Sequence, residues 1–276
     1  MEQTDKIKVV RVPIETPTLW PHTTTNSYLI GNDEESILID AGYDKQETRE
    51  TIEEALQNYN IAIPKKIVLT HFHIDHAPGV KRLADWEPIV YCHPLETNDI
   101  EKAIYPYNRI QHLNDSDTLQ VAGTSLSVIH GPGHTKGHLN IYIPSLEILI
   151  AGDNVVAEGT TWIGPPEGNM SAYLDTLNRL KRLPLTKIGP GHGGWIKNPY
   201  EHLDFVINRR LQRENQIQSL LKKHGKLSAS ELTKLIYQDT IHPSIFGVAE
   251  RTTEAHLIKL IDEGKVIRQN GVYKLK

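Results

Sequence analysis

The run Thr70-His71-Phe72-His73-Ile74-Asp75-His76 places four side chains able to bind metal within six residues. It follows the apolar stretch 66–70, which reads as a buried strand, and precedes Ala77-Pro78-Gly79, which can open a helix. Imidazoles are favoured ligands of borderline metals, and carboxylates bind them as hard anionic donors. A tight turn at the end of a strand can point His71 and His73 at one ion, leaving Asp75 and His76 to reach a second. Any fold this chain adopts must deliver further ligands to that loop from distant sequence.

Three such segments follow, each a glycine-containing loop after a strand-like run. They are Gly131-Pro-Gly-His134-Thr-Lys-Gly-His138, Ala151-Gly-Asp153-Asn154 and Gly189-Pro-Gly-His192-Gly-Gly. Glycine lets backbone approach an ion closely at such positions. The chain carries 14 histidines in 276 residues, and their spacing is what gives the number meaning. The single cysteine, Cys92, excludes an internal disulfide framework and a cysteine-rich zinc site.

The organisation is mixed. Strands are expected at 27–30, 36–39, 66–70, 89–92, 125–130, 140–143 and 148–151, and helices at 46–59 and 170–183. After about residue 208 the pattern changes. A helix over 208–224 stops at Gly225. Ser228-Ala-Ser-Glu231 forms a capping box that opens a second helix. A third helix covers 249–263, and two short strands meet at Asn270-Gly271, a dipeptide suited to a type I′ hairpin. Residues 207–276 hold 13 Lys+Arg and 7 Asp+Glu, a net +6, against −10 for the rest of a chain whose net charge is −4. A basic module on an acidic body is the expected arrangement. The polar start of the sequence and the lack of a long apolar run predict a cytoplasmic protein with no membrane partner.

The order THFHIDH, PGHTKGH, AGDN, GPGHGG closely resembles the metallo-β-lactamase superfamily. The resemblance implies an α/β (α+β) fold, an αββα sandwich over residues 1–206, with a small winged-helix domain over 207–276. It implies two divalent metal ions: His71, His73 and His134 on the first, Asp75, His76 and His192 on the second, and Asp153 bridging. Zinc is the expected metal, with iron or manganese as cations the same donors accept. Asp40, in Ile39-Asp40-Ala41-Gly42, matches the motif whose aspartate orients the metal loop by hydrogen bonds, and His138 is expected to support the ligands rather than join them.

A dinuclear centre of this kind implies hydrolysis by a shared hydroxide, with Asp75 accepting or orienting its proton. The segment after Asp153 and the winged helix resemble the β-lactamase-like branch that includes a mitochondrial endoribonuclease of animals. Three functions stay open: hydrolysis of a small ester, thioester or lactone; cleavage of single-stranded RNA; and ligand-sensing DNA binding without catalysis. The candidate recognition helix carries Glu250, Glu254, Asp262 and Glu263 beside only Arg251 and Lys259, so a docking or pocket-closing role, or packing across a homodimer, is expected of it. Small-molecule contacts are expected from Trp20, His22 and Thr25 before the first strand pair, from Tyr105, Tyr107 and Arg109, and from Trp162.

Overall fold

The computed structural model describes residues 7–17, 23–237 and 240–276. The expected contacts Trp20 and His22 lie outside the described residues. By contact the chain divides into two compact units: Met1–Gly131 with Gly137–Gly159 and Leu183–Pro199, and Pro132–Lys136 with Thr160–Arg182 and Tyr200–Lys276.

The first unit holds two sheets. Six strands lie side by side in chain order: β1 (Lys8–Glu15), β2 (Thr24–Gly31), β3 (Ser36–Ile39), β4 (Lys66–Val68), β5 (Ile89–Cys92) and β6 (Ile110–His112). The first three run antiparallel, and β3 through β6 run parallel. A second sheet of five has the order β11 (Lys187–Pro190), β10 (Ile148–Gly152), β9 (Leu139–Ile143), β8 (Thr124–His130) and β7 (Thr118–Val121).

The alternation of strand side chains makes the layers. Ile30, Ile37, Ile39 and Val68 meet Val128, Ile141 and Ile150 of the second sheet in one core. Their neighbours Leu29, Leu38, Ile67 and Leu69 point to the other face. There they meet Ile52 and Leu56 of α1 (Gln46–Tyr59), Val80 and Leu83 of a 3-10 helix (Pro78–Trp86), and Ile100 and Ile104 of α2 (Thr97–Ile104). Both faces of the six-stranded sheet are therefore covered, which explains why β3 is apolar throughout its Ile-Leu-Ile run and buried at every residue.

Strand β1 was not expected from the sequence. Pro13 interrupts its pattern, and proline is tolerated because β1 is an edge strand.

The second unit contains α3 (Met170–Leu180), α4 (Pro199–His224), α5 (Ala229–Tyr237), α6 (Phe246–Asp262) and the hairpin β12 (Val266–Gln269) and β13 (Val272–Leu275). Helix α4 starts nine residues before the expected 208 and runs unbroken through 206/207, so no linker separates residues there. Asn169 caps α3 by accepting from the Ala172 amide at 2.9 Å. The expected capping box is present: the Ser228 amide donates to Glu231 Oε2 at 2.7 Å, and the Glu231 amide to Ser228 Oγ at 3.2 Å. Asn270 and Gly271 both take positive φ, 49° and 80°, as a type I′ turn requires. The small core joins Ile217 and Leu221 of α4, Leu232 of α5, Leu257 and Leu260 of α6, and Val266 and Tyr273 of the hairpin.

A buried polar group ties α4 to α6. Glu214 accepts from Lys259 Nζ at 2.9 Å and lies 3.3 Å from His256 Nδ1. Burial would raise the Glu214 carboxyl, but His256 and Lys259 hold it below the usual range. Burial pushes the His256 imidazole down to about 4, although Glu214 pulls it the other way. His256 is therefore neutral in the folded chain at pH 7, while its unfolded counterpart titrates near 6.5. Its stabilising effect is full above pH 6.5 and is lost as pH falls toward 4. That difference corresponds to about 3 kcal/mol. The depressed Glu214 adds a loss in the same direction below its unfolded value. Urea unfolding of the full chain at about pH 7 and about pH 4.5, followed by amide exchange in α4 and α6, should show this loss. His256→Gln should remove most of it; an unchanged pH slope in that variant would contradict the assignment.

Candidate metal centre

The loops that leave the C-terminal ends of β3, β4, β10 and β11 carry the chemistry. Asp40 follows β3 in a left-handed conformation, φ 58°, which aspartate tolerates better than most residues. There its carboxylate accepts from the Thr70 amide at 2.7 Å and the Thr70 hydroxyl at 2.8 Å, and takes the Nδ1 hydrogen of His76 at 2.8 Å. One buried aspartate thus fixes both ends of the turn between strand and helix. Gly79 seals the arrangement: its amide donates to Gly42 O at 2.8 Å, and a Cβ on it would stand 2.0 Å from Ala41 O.

Within the first unit, ligand atoms of His71, His73 and Asp153 lie within 4.8 Å of one another, as do those of Asp75, His76 and His192. Asp153 Oδ1 sits 3.3 Å from His76 Nε2 and 3.3 Å from His192 Nε2. Asp75 Oδ2 sits 3.6 Å and 3.5 Å from the same nitrogens. These separations are long for hydrogen bonds, and His76 Nε2 is buried without one. They match the roughly 3.3 Å edge of a tetrahedron whose metal–ligand bonds are about 2.0 Å. The donor set and its spacing fit a divalent cation.

The imidazoles are also prepared electronically. His76 gives its Nδ1 hydrogen to Asp40, His192 gives its own to Thr24 O at 2.9 Å, and His71 Nδ1 lies 2.9 Å from Thr70 Oγ1. The Thr70 hydroxyl donates to Asp40, so its lone pair accepts from His71. In the second unit, His134 Nδ1 faces Trp162 O at 2.8 Å. Each of these Nδ1 atoms is thus engaged as a donor, which leaves Nε2 as the atom each ring can offer to a metal.

Burial alone would lower His76, but the surrounding Asp75, Asp153 and Asp40 outweigh it and hold the imidazole well above its ordinary value. His192 is raised against the same burial by Asp153. Asp153 is opposed by burial, yet His192 and His76 hold it well below the usual carboxylate range. A cation bound among these groups displaces the imidazole protons, so metal uptake releases acid.

Further residues pack around the ligands, and the sequence did not disclose Thr25 or Glu96 in this role. Thr25, expected as a substrate contact, is fully buried and donates from Oγ1 to Asp75 Oδ2 at 2.7 Å. Buried Glu96 accepts from the Phe72 amide at 3.2 Å and the Gly137 amide at 2.7 Å, pinning the metal loop to the end of the 131–138 segment. Asn154 donates to Gly131 O at 2.8 Å. His138 accepts from the Asp153 amide at 3.2 Å and stacks on His71 at 5.1 Å, so it touches a ligand backbone and a ligand ring. His93 stacks on His130 at 4.0 Å. Burial and that neighbour push it down to about 4.

Two other expected contacts, Tyr107 and Arg109, fall elsewhere. Tyr107 donates to Pro88 O, and Arg109 donates to Glu87 O at 2.7 Å. Both partners precede β5, so these side chains are at the N-terminal edge of the parallel strands, opposite the metal loops. Tyr105 is 76% exposed. Trp162, beside buried Ile163, meets the His134 ring edge-on at 6.4 Å.

Replacing Asp40 by alanine frees Thr70 and His76 together. The affinity for the first equivalents of zinc should fall about 10–100-fold, measured by competition with a chromophoric chelator. An unchanged affinity would show that the ligand loop holds its shape without this aspartate.

The layered sheets and the buried histidine–aspartate cluster define a class. Residues 20–192 match the metallo-beta-lactamase superfamily, and residues 228–274 match the beta-lactamase associated winged helix domain. The chain belongs to the metallo-beta-lactamase superfamily and is a hydrolase. It is 30% identical over 220 residues to the beta-lactamase-like protein 2 homolog of Caenorhabditis elegans, covering 78% of this chain and 72% of that protein. It is 26% identical to an atrochrysone carboxyl ACP thioesterase of Emericella nidulans, over 88% of this chain and 76% of that one. A metallo-beta-lactamase family protein of Thermus thermophilus shares the fold with TM-score 0.82 and 23% identity, over 97% of this chain and 98% of that one.

Proposed function

We propose that this chain hydrolyses a carboxylic thioester or ester at a dinuclear metal centre, with zinc as the first metal to test. His71, His73 and His134 would hold one ion and Asp75, His76 and His192 the other, with the Asp153 carboxylate available to both sets. The observation that carries this is Asp153 Oδ1, 3.3 Å from each of two Nε2 atoms whose rings are locked from behind. Bound there, two divalent cations supply a Lewis acid for the carbonyl and a lowered pKa for water.

The residues do the rest. Asp75 takes the proton of the attacking water, and the Thr25 hydroxyl keeps its carboxylate in one rotamer. Asp40 and His138 hold ligands against the displacement that substrate binding would cause. The thioesterase relative supports a thioester over the other bonds this scaffold can cleave. A DNA-reading role is disfavoured by the expected recognition helix, now α6. Its Lys259 is consumed by Glu214 and Glu263, at 2.9 Å and 2.6 Å, and its Arg251 by Glu254 at 3.1 Å.

The test is a panel of thioester, ester, lactone, β-lactam, phosphodiester and single-stranded RNA substrates on zinc-, iron- and manganese-reconstituted protein, with Asp75→Ala as control. Thioester turnover that vanishes in the control supports the proposal. RNA cleavage with no acyl hydrolysis, or activity undiminished in the control, refutes it. Among the described residues no helix is long and apolar enough to cross a membrane.

A further inference from the structure

A trough of about 740 Å³ opens beside the metal loop, with His73 in its wall. Its apolar lining comes from four places: Tyr43 before α1, Phe72 and Ile74 of the metal loop, Pro78 of the 3-10 helix, and Ala103 of α2. Ile74 lies between the ligands His73 and Asp75 yet is 63% exposed. An isoleucine held open to solvent inside a concave surface marks a place for an apolar ligand. Three lysines also line the trough. Lys81 is paired with Asp44 at 2.7 Å and Lys102 with Asp99 at 2.9 Å. Lys45 has no carboxylate partner among the described residues; its ammonium lies over the Tyr43 ring at 5.8 Å.

We propose that the trough seats the acyl chain of the substrate, and that Lys45 binds a phosphate on the arm carrying the thioester. The inference rests on the thioester reading above, and adds to it a substrate of defined shape: an apolar acyl group several carbons long on an anionic carrier. His73, a ligand in the reading above, is in the trough wall, so a chain lying in it would have its carbonyl end within reach of the metal loop. Apolar surface removed from water then favours longer chains, and the uncompensated cation among the described lining residues favours an anionic arm.

Non-hydrolysable thioethers test this without turnover. S-butyl and S-octyl derivatives of coenzyme A and of N-acetylcysteamine are titrated calorimetrically into the full chain, both metal-free and zinc-loaded. The octyl compounds should bind at least about tenfold more tightly than the butyl compounds in either state. Lys45→Ala should weaken the coenzyme A compounds about tenfold and the neutral ones less than about twofold, and Lys45→Arg should restore binding. Ala103→Phe should narrow the trough and erase the octyl advantage. Ile74→Ser, at an exposed position that does not endanger folding, should reduce that advantage. Equal affinity for butyl and octyl, or equal losses on both carriers in Lys45→Ala, overturns the proposal. Chain-length-dependent binding without thioester hydrolysis would leave the trough assignment standing and remove only the thioesterase reading. Hydrolysis with chain-indifferent binding would do the reverse.

Discussion

Asp153→Ala should lose at least about a thousandfold in kcat/KM on every substrate the wild type cleaves, with the fold intact. The size follows from where the carboxylate stands. Oδ1 is equidistant, at 3.3 Å, from His76 Nε2 and His192 Nε2, and the same side chain groups with His71 and His73. Removing it takes away the one anion common to both sets of ligands. A loss of that size is about 4 kcal/mol, within what preorganised electrostatic groups supply in a water-poor site. The backbone should not suffer, because the Asp153 amide donates to His138 and the adjoining Asn154 amide to Ala151 O, and neither bond needs the carboxylate. Metal analysis separates the causes: alanine should reduce bound zinc from two equivalents toward one. Asp153→Asn, which keeps the shape but not the charge, should fall between. A variant with two full equivalents and near-normal turnover would exclude a bridging role.

That aspartate was legible in the sequence, as were the histidines, because metal chemistry concentrates rare residue types in short glycine-rich loops. Strands β3, β4 and β5 were legible as apolar runs, whereas their parallel partner β6 was not expected. What escaped were supporting contacts made by residues that stand in no motif. Thr25 sits 50 residues before the Asp75 it holds, and no local pattern distinguishes it from an ordinary strand threonine. Glu96 follows Pro94-Leu95 like any residue opening a helix, yet it is buried under two backbone amides. Arg109 and Tyr107 showed the opposite error. An aromatic-basic cluster between two metal loops suggested substrate contact, but the residues precede β6 and the parallel register carries them to the other edge of the sheet. Helix α4 hid its first turns because 199–207 mixes buried Leu203 and Val206 with exposed Phe205, which blurs the helical period.

Gly191→Ala should cost about a hundredfold in kcat while lowering stability only modestly, although it adds a single methyl group and removes no ligand. A Cβ at this position would stand 1.9 Å from Asp153 Oδ1, closer than any non-bonded contact permits. Something must move, and the glycine backbone has little freedom to do so. Its amide donates to Gly152 O at 2.7 Å, and its carbonyl accepts from the Asn26 amide at 2.7 Å. It is therefore pinned to β10 on one side and β2 on the other. The carboxylate, on a rotatable side chain, yields instead and swings away from His76 and His192. A displacement of about 1 Å at a reacting centre is enough for a loss of this size. Gly194, three residues on, is the control: nothing lies within 4 Å of a Cβ there, so Gly194→Ala should behave as wild type. Steady-state kinetics, zinc content and thermal melting of the two variants decide the matter. If Gly191→Ala retained both metals and full activity, the close approach of this loop to Asp153 would not be what sets the carboxylate in place.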